Sequence, residues 1–174
     1  ASNVNEILLT KHLIDKGLYT EHALDYVLEN FRNSLYRQTL FADFENEIHQ
    51  RVENNQPLTA DNLGGIYGDK KKRYYKPVEM DEDIRKEWMR IPHFYYDFYV
   101  FQYSTGIAAA HAIVDMIEEE SAEDYLSMLK KGGSKYPLEL LEDIGIDMRE
   151  PENIEKAVKR YRNRVEEMEN KLNA

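Results

Sequence analysis

The chain has 174 residues, no cysteine and a formal net charge of −10, from 33 acidic and 23 basic residues. The lack of cysteine excludes disulfides, thiolate metal ligands and a cysteine nucleophile, and it fits a reducing cytoplasm. The acidic balance argues against nucleic acid as a partner, since phosphate backbones are bound by clustered Lys and Arg, and no apolar run approaches the roughly 20 residues that cross a membrane.

Apolar residues spaced three and four apart predict helices from the start of the chain. A first helix over 4–14 should stop at Gly17, because glycine readily adopts the left-handed conformation that ends helices. A second helix should begin at Thr20 and change its apolar phase near Gln38. Turn-forming residues from Asn54 onward should end it.

The middle of the chain carries the least polar stretch and a tyrosine-rich region. We predict a short helix over 59–67, then a surface loop over 68–79 that holds the only basic run. A further helix over 81–89 should end before Pro92, because the residue preceding a proline avoids helical geometry. Pro92 can then lie in the first turn of a long helix over 93–119.

The last third also has helical patterning. A helix opened by Ser121 should stop at Gly132, and a short one over 137–143 should follow. Pro151 should open a charged helix whose apolar seam alternates steps of four and three. Because we find no convincing strand pattern, we predict an all-α fold.

The segment RIPHFYYDFYVFQYSTGIAAAHAI, residues 90–113, carries the strongest candidate chemistry. On one continuous helix, His93, Tyr96 and Tyr103 would share a face, with Tyr99 somewhat further round. An imidazole and several phenols on one face can donate hydrogen bonds to a developing oxyanion. The alternative is that these tyrosines are ordinary half-buried helix residues with their phenol tips in water.

Other candidate sites are weaker. Glu45 and His49 are four residues apart on a predicted helix and could both touch a metal, but no second pair accompanies them. His12, His22 and His111 are isolated. A di-metal helical bundle would need paired Glu-x-x-His motifs, which the sequence lacks.

Segment 90–113 resembles the signature of the oligoendopeptidase F family, which belongs with the thimet-oligopeptidase-like zinc peptidases. Three further stretches resemble family segments in the same order. These are ASNVNE at 1–6, RQTLFADFENEIH at 37–49 and GGSKYPLELLEDIGIDM at 132–148. The resemblance therefore covers nearly the whole chain.

The resemblance implies that residues 1–174 form the C-terminal helical part of a zincin-like oligopeptidase catalytic domain. Enzymes of the family bind zinc through HExxH and a later glutamate. His93 matches the family histidine that binds the substrate carbonyl, Tyr96 and Tyr103 are the best matches for the assisting tyrosines, and Tyr99 competes closely with them. Glu6 matches a glutamate near the metal-binding segment, and we expect it to hydrogen-bond a metal ligand rather than the metal.

The chain departs from the family pattern because it contains no HExxH. We expect the zinc-ligand segment to lie upstream, in a missing N-terminal part of the same enzyme. The whole enzyme would be a cytoplasmic zinc metalloendopeptidase acting on oligopeptides, whereas this chain alone should bind no catalytic zinc, lack activity and tend to self-associate. The alternative is a non-catalytic helical module that binds a peptide or protein.

Overall fold

The computed structural model describes residues 1–173, and no strand occurs in that range, which confirms the predicted all-α fold. The chain divides into two compact units. Unit one comprises Ala1–Arg32 together with the described chain from Thr105 onward. Unit two is Asn33–Ser104 and contains the four candidate catalytic residues.

Eight α-helices make up most of the described chain. They are α1 Ser2–Asp15, α2 Thr20–Phe31, α3 Arg37–Glu53, α4 Ala60–Tyr74, α5 Phe101–Glu119, α6 Glu123–Lys131, α7 Pro137–Glu142 and α8 Glu152–Leu172. A π-helical segment, Arg32–Tyr36, joins α2 to α3, and two 3₁₀ segments, Glu82–Arg90 and Pro92–Tyr95, precede α5.

Several helix boundaries that were predicted from turn-forming residues are confirmed. Gly17 is left-handed, with φ of 66°, just after α1, and α2 begins at Thr20. The predicted change of phase near Gln38 corresponds to the π-helical segment Arg32–Tyr36. A π turn holds more residues than an α turn, so it rotates the apolar stripe that follows. Gly132, with φ of 53°, ends α6 as predicted.

The predicted surface loop over 68–79 is wrong, because α4 continues to Tyr74. Thr59 caps its start with a capping box. Two of the four charges in the basic run are paired: Lys70 contacts two carboxylates of α3, and Lys71 donates to Glu87 at 2.7 Å. Cationic residues in a last turn also interact favourably with the helix dipole.

The predicted continuous helix over 93–119 is also wrong. Pro92–Tyr95 is a single 3₁₀ turn, and α5 begins only at Phe101. Between them, Asp97 and Phe98 have φ values of 46° and 57°. This left-handed conformation cannot belong to a right-handed helix, so the chain breaks there.

Each unit has its own apolar core. The core of unit one contains Val4, Ala110, Ala112, Ile113, Val114, Tyr125 and Ile146. The core of unit two contains Leu40, Phe41, Phe44, Ile66, Tyr67, Ile91 and Val100. Because Ile91 and Val100 are buried, they anchor both ends of the segment that carries His93, Tyr96 and Tyr99.

The charged helix α8 follows Pro151 as predicted and packs along α2 within unit one. Ala157 is its most deeply buried residue, and the ring of Tyr161 stacks on Phe31 at 4.9 Å. Ile154, at one end of the predicted seam, is exposed. Across residues 1–173, we find no helix with the length and apolar character needed to cross a membrane.

Candidate functional site

His93, Tyr96, Tyr99 and Tyr103 form one group, here called the His–Tyr cluster. His93 lies on the 3₁₀ turn, Tyr96 and Tyr99 follow in the non-helical stretch, and Tyr103 is in the first turn of α5. His93 Nε2 lies 3.2 Å from the Tyr103 hydroxyl, within hydrogen-bond distance. The structure therefore brings the predicted residues together, although they do not share one helix.

The rings of the cluster pack closely around His93. Tyr99 lies parallel to the imidazole, with centroids 5.8 Å apart and 8° between planes. Tyr96 and Tyr103 meet it edge-on, at 6.2 and 5.6 Å. Stacked and edge-to-face aromatic pairs are favourable arrangements. These contacts hold the imidazole in a defined orientation.

The hydrogen-bonding groups of the cluster can be reached from solvent. His93 is half-buried, and Tyr103 is 37% exposed. The hydrogen bond between Tyr103 and Tyr99, aided by partial desolvation, raises the pKa of Tyr103 above its ordinary value. The phenol of Tyr103 therefore stays protonated at neutral pH and can donate a hydrogen bond.

The non-helical stretch is held by α3. The backbone N–H of Phe98 donates to Oε1 of Glu45 at 2.8 Å, and the ring of His49 lies 4.4 Å from that of Phe98. Glu45 is 1% exposed, and its other oxygen, Oε2, is buried without a hydrogen-bond partner in the described chain. Sequence reasoning considered Glu45 and His49 only as metal ligands. Asp97, a residue type that tolerates the left-handed conformation, was the one signal of a break here.

A buried ionic network fixes the 3₁₀ segment Glu82–Arg90, which leads into the cluster. Glu87 accepts hydrogen bonds from Tyr67, Lys71 and Arg37 at 2.7, 2.7 and 2.9 Å. Burial raises the pKa of Glu87, but the hydrogen bonds from Lys71 and Tyr67 outweigh burial and lower it on balance. Glu87 is therefore charged in the folded protein at neutral pH.

Glu6, the remaining predicted site residue, lies on α1 in unit one. Its carboxylate accepts hydrogen bonds from Ser2 Oγ at 2.8 Å and from the Tyr26 hydroxyl at 2.9 Å. The hydrogen bond to Glu6 raises the pKa of Tyr26. The predicted contact of Glu6 with a metal ligand stays a prediction.

The described residues do not fit a catalytic zinc site. No group of three or more His, Asp or Glu residues within 1–173 is arranged to hold a metal ion. His111 is buried against Phe31, and His49 contacts Phe98. Burial, followed by the charges of Arg160 and Arg164, lowers the pKa of His111 to about 3, so it is neutral in the folded protein.

Peptidase family M3 matches residues 1–160, and the chain belongs to this family. Among its relatives is Oligopeptidase PepF of Bacillus subtilis (strain 168), with 41% identity over 180 residues. That alignment covers 99% of this chain and 27% of the relative. Oligoendopeptidase F, plasmid, of Lactococcus lactis subsp. cremoris is 39% identical over 176 residues, covering 97% of this chain and 29% of the relative.

A solved structure agrees with these relatives. The crystal structure of oligoendopeptidase-F from Enterococcus faecium matches with a TM-score of 0.94 and 40% identity, over 99% of this chain and 34% of that one. The resemblance of the sequence to the oligoendopeptidase F family is confirmed. The chain spans less than a third of the length of the two curated relatives.

Proposed function

We propose that residues 1–174 form the C-terminal portion of a longer zinc metalloendopeptidase that hydrolyses short oligopeptides. In this proposal the His–Tyr cluster stabilises the substrate carbonyl in the transition state. The observation that carries it is the 3.2 Å approach of His93 Nε2 to the Tyr103 hydroxyl, in a chain of Peptidase family M3. Its partners would be an oligopeptide and the remainder of the same enzyme.

The chemistry follows from the two donors. When a peptide carbonyl is attacked, its oxygen gains negative charge, and donors aimed at that position lower the barrier. An imidazole N–H and a phenol O–H only 3.2 Å apart are close enough to converge on one oxygen. Because His93 and Tyr103 lie within hydrogen-bond distance of each other, that bond would break as both groups turn to the substrate oxygen, while the neighbouring rings keep the imidazole in place. Removal of one such donor typically lowers turnover by about 100- to 1000-fold.

Zinc and the general base would be supplied by other parts of the longer enzyme, since the residues described here do not fit a metal site. A zinc ion held by those other parts would activate water and polarise the carbonyl. Glu6 would hydrogen-bond one of the ligands supplied elsewhere. We therefore expect the chain alone to have no peptidase activity and much less than one zinc per chain by inductively coupled plasma analysis. Stoichiometric zinc with peptide cleavage would contradict this proposal.

The test is a set of substitutions in the longer enzyme. His93→Ala and Tyr103→Phe should each lower kcat on an oligopeptide by about 100- to 1000-fold, with KM changed far less. Because both groups would serve one oxygen, the double variant should lose less than the product of the single losses. Unchanged kcat in both single variants would remove the assignment. The loss of kcat in Tyr96→Phe and in Tyr99→Phe then shows how much each of the two remaining phenols contributes.

The alternative is a helical binding module that holds a peptide on the exposed aromatic rings. In that case Tyr103→Phe would weaken binding, and no kcat would exist to change. Self-association of the isolated chain and a cytoplasmic location stay predictions. Light scattering over a range of concentrations tests the first, and fractionation of cells tests the second.

A further inference from the structure

We propose that Glu45 is a positioning residue that sets the conformation of the His–Tyr cluster through the backbone of Phe98. Its catalytic consequence rests on the function proposed above, whereas its structural part can be tested separately. The proposal starts from two consecutive residues, Asp97 and Phe98, that are both left-handed although neither is glycine. Aspartate tolerates this conformation, but it is strained for Phe98, and such strain persists only where surrounding contacts hold it.

Contacts from α3 supply that restraint from two directions. Oε1 of Glu45 accepts the Phe98 N–H at 2.8 Å, within the usual range of a hydrogen bond. One helical turn further along, the imidazole of His49 lies 4.4 Å from the Phe98 ring. The backbone and the side chain of Phe98 are therefore both fixed by the same helix.

A glutamate at position 45 is unfavourable if its only role is to stabilise the fold. It is 1% exposed and follows Phe44 in the core of unit two, yet Oε2 has no hydrogen-bond partner in the described chain. An incompletely bonded carboxylate in a core is unfavourable compared with an apolar residue of similar volume. Such local conflicts are expected where a residue does something other than stabilise the fold.

The effect of Glu45 reaches the imidazole through one neighbour. Phe98 directly precedes Tyr99, and the Tyr99 ring stacks on His93 at 5.8 Å. If the Phe98 N–H loses its acceptor, the left-handed turn can relax and Tyr99 can leave His93. The imidazole would then lose the contact that orients it.

Hydrogen exchange measured by NMR on this chain tests the structural part directly. In the unaltered chain the Phe98 amide should be protected by at least about tenfold over its unstructured rate. Glu45→Leu should remove that protection, while amides in the middle of α4 keep theirs. Glu45→Gln should restore it, because the amide oxygen can accept the same N–H. Asn46→Ala, an exposed neighbour on α3, is the matched control and should change neither.

A spectroscopic signature reports whether the cluster itself moves. The Hε1 resonance of His93 should be displaced by the ring current of Tyr99, return toward its unstructured value in Glu45→Leu and stay displaced in Glu45→Gln. An unprotected Phe98 amide in the unaltered chain would overturn the proposal even if no variant folds. An unchanged His93 resonance in a folded Glu45→Leu variant would also overturn it.

Turnover in the longer enzyme separates this inference from the proposed function. Glu45→Leu should lower kcat by about tenfold or more, with a smaller change in KM and recovery in Glu45→Gln. If His93→Ala has no effect on kcat while Glu45→Leu still releases the Phe98 amide, the proposed function fails and the positioning stands. If His93→Ala abolishes turnover while Glu45→Leu leaves kcat and the Phe98 amide unchanged, the positioning fails and the function stands.

Discussion

Three glycines of α4 provide an internally controlled test of how the segment before the cluster is packed. A Cβ added at Gly68 would lie 2.9 Å from Cγ of Arg85, and one added at Gly64 would lie 3.3 Å from the Arg85 carbonyl oxygen. A Cβ at Gly65 would be 3.8 Å from an Arg85 guanidinium nitrogen, which is ordinary contact. Arg85 belongs to the 3₁₀ segment Glu82–Arg90, so close approach at two of the three glycines keeps that segment against α4.

The expected magnitudes follow from two opposing terms. Alanine is favoured over glycine in a helix by about 1 kcal/mol, and this gain applies at all three positions. Gly65→Ala should therefore stabilise unit two by up to about 1 kcal/mol. Overpacking typically costs about 1–3 kcal/mol, so Gly68→Ala should range from neutral to about 2 kcal/mol destabilising. The contact at Gly64 is less close than the one at Gly68, but it is with backbone, which moves less easily than a side chain. Gly64→Ala should therefore change stability about as much as Gly68→Ala.

The assay is urea unfolding followed by tryptophan fluorescence. Trp88 is the only tryptophan and lies on the same 3₁₀ segment, so it reports unfolding at the site of the perturbation. The propensity gain cancels in the comparison of two alanine variants. The difference between Gly65→Ala and Gly68→Ala therefore measures the packing term, about 1–3 kcal/mol. Equal stabilisation by all three substitutions would refute the packing of Arg85 against α4.

Further predictions concern two buried ionisable groups, Glu87 and His111. Glu87→Gln should destabilise unit two by about 3 kcal/mol in the same assay, because it leaves Lys71 buried without its anion. The pKa of Glu87 is lower in the folded than in the unfolded protein, where it is about 4.3. Ionised Glu87 therefore stabilises the fold above that pH, and this stabilisation is lost as the pH falls through the folded-state pKa. Glu87→Gln should not show this loss. His111 has a folded pKa of about 3. The unfolded chain therefore binds more protons between about pH 6.5 and 3, and acidification from pH 7 to 5 should remove about 2 kcal/mol of stability. Unfolding followed by circular dichroism should show that the stability of His111→Leu does not fall in this way. If the variant and the unaltered chain have the same pH dependence, this would count against a buried neutral His111.

Helix boundaries could be predicted where the signal is local. Gly17 and Gly132 end helices because glycine takes up positive φ readily, and these positions needed no knowledge of the rest of the chain. The extent of α4 could not be predicted in this way. Lys71 looks like part of a solvated basic run until its partner, Glu87, is known to lie beside it 16 residues later.

The candidate site was predicted in composition but not in geometry. His93 and Tyr103 do meet, yet the continuous helix that was expected to align them is broken at Asp97 and Phe98. The acceptor that holds this break is Glu45, 53 residues earlier than Phe98. A single sequence gives helical periodicity at short range, but it does not reveal which distant carboxylate will meet a particular backbone N–H.

The central claim is that phenol and imidazole donors of the His–Tyr cluster stabilise the transition state of peptide hydrolysis. The most direct measurement compares Tyr103→Phe with Tyr95→Phe in the longer enzyme, by kcat on one oligopeptide. Tyr95 lies in the same tyrosine-rich segment but is 81% exposed, so its hydroxyl is a matched control. We predict a loss of about 100- to 1000-fold for Tyr103→Phe and nearly full activity for Tyr95→Phe. Equal kcat values for the two variants would contradict the account.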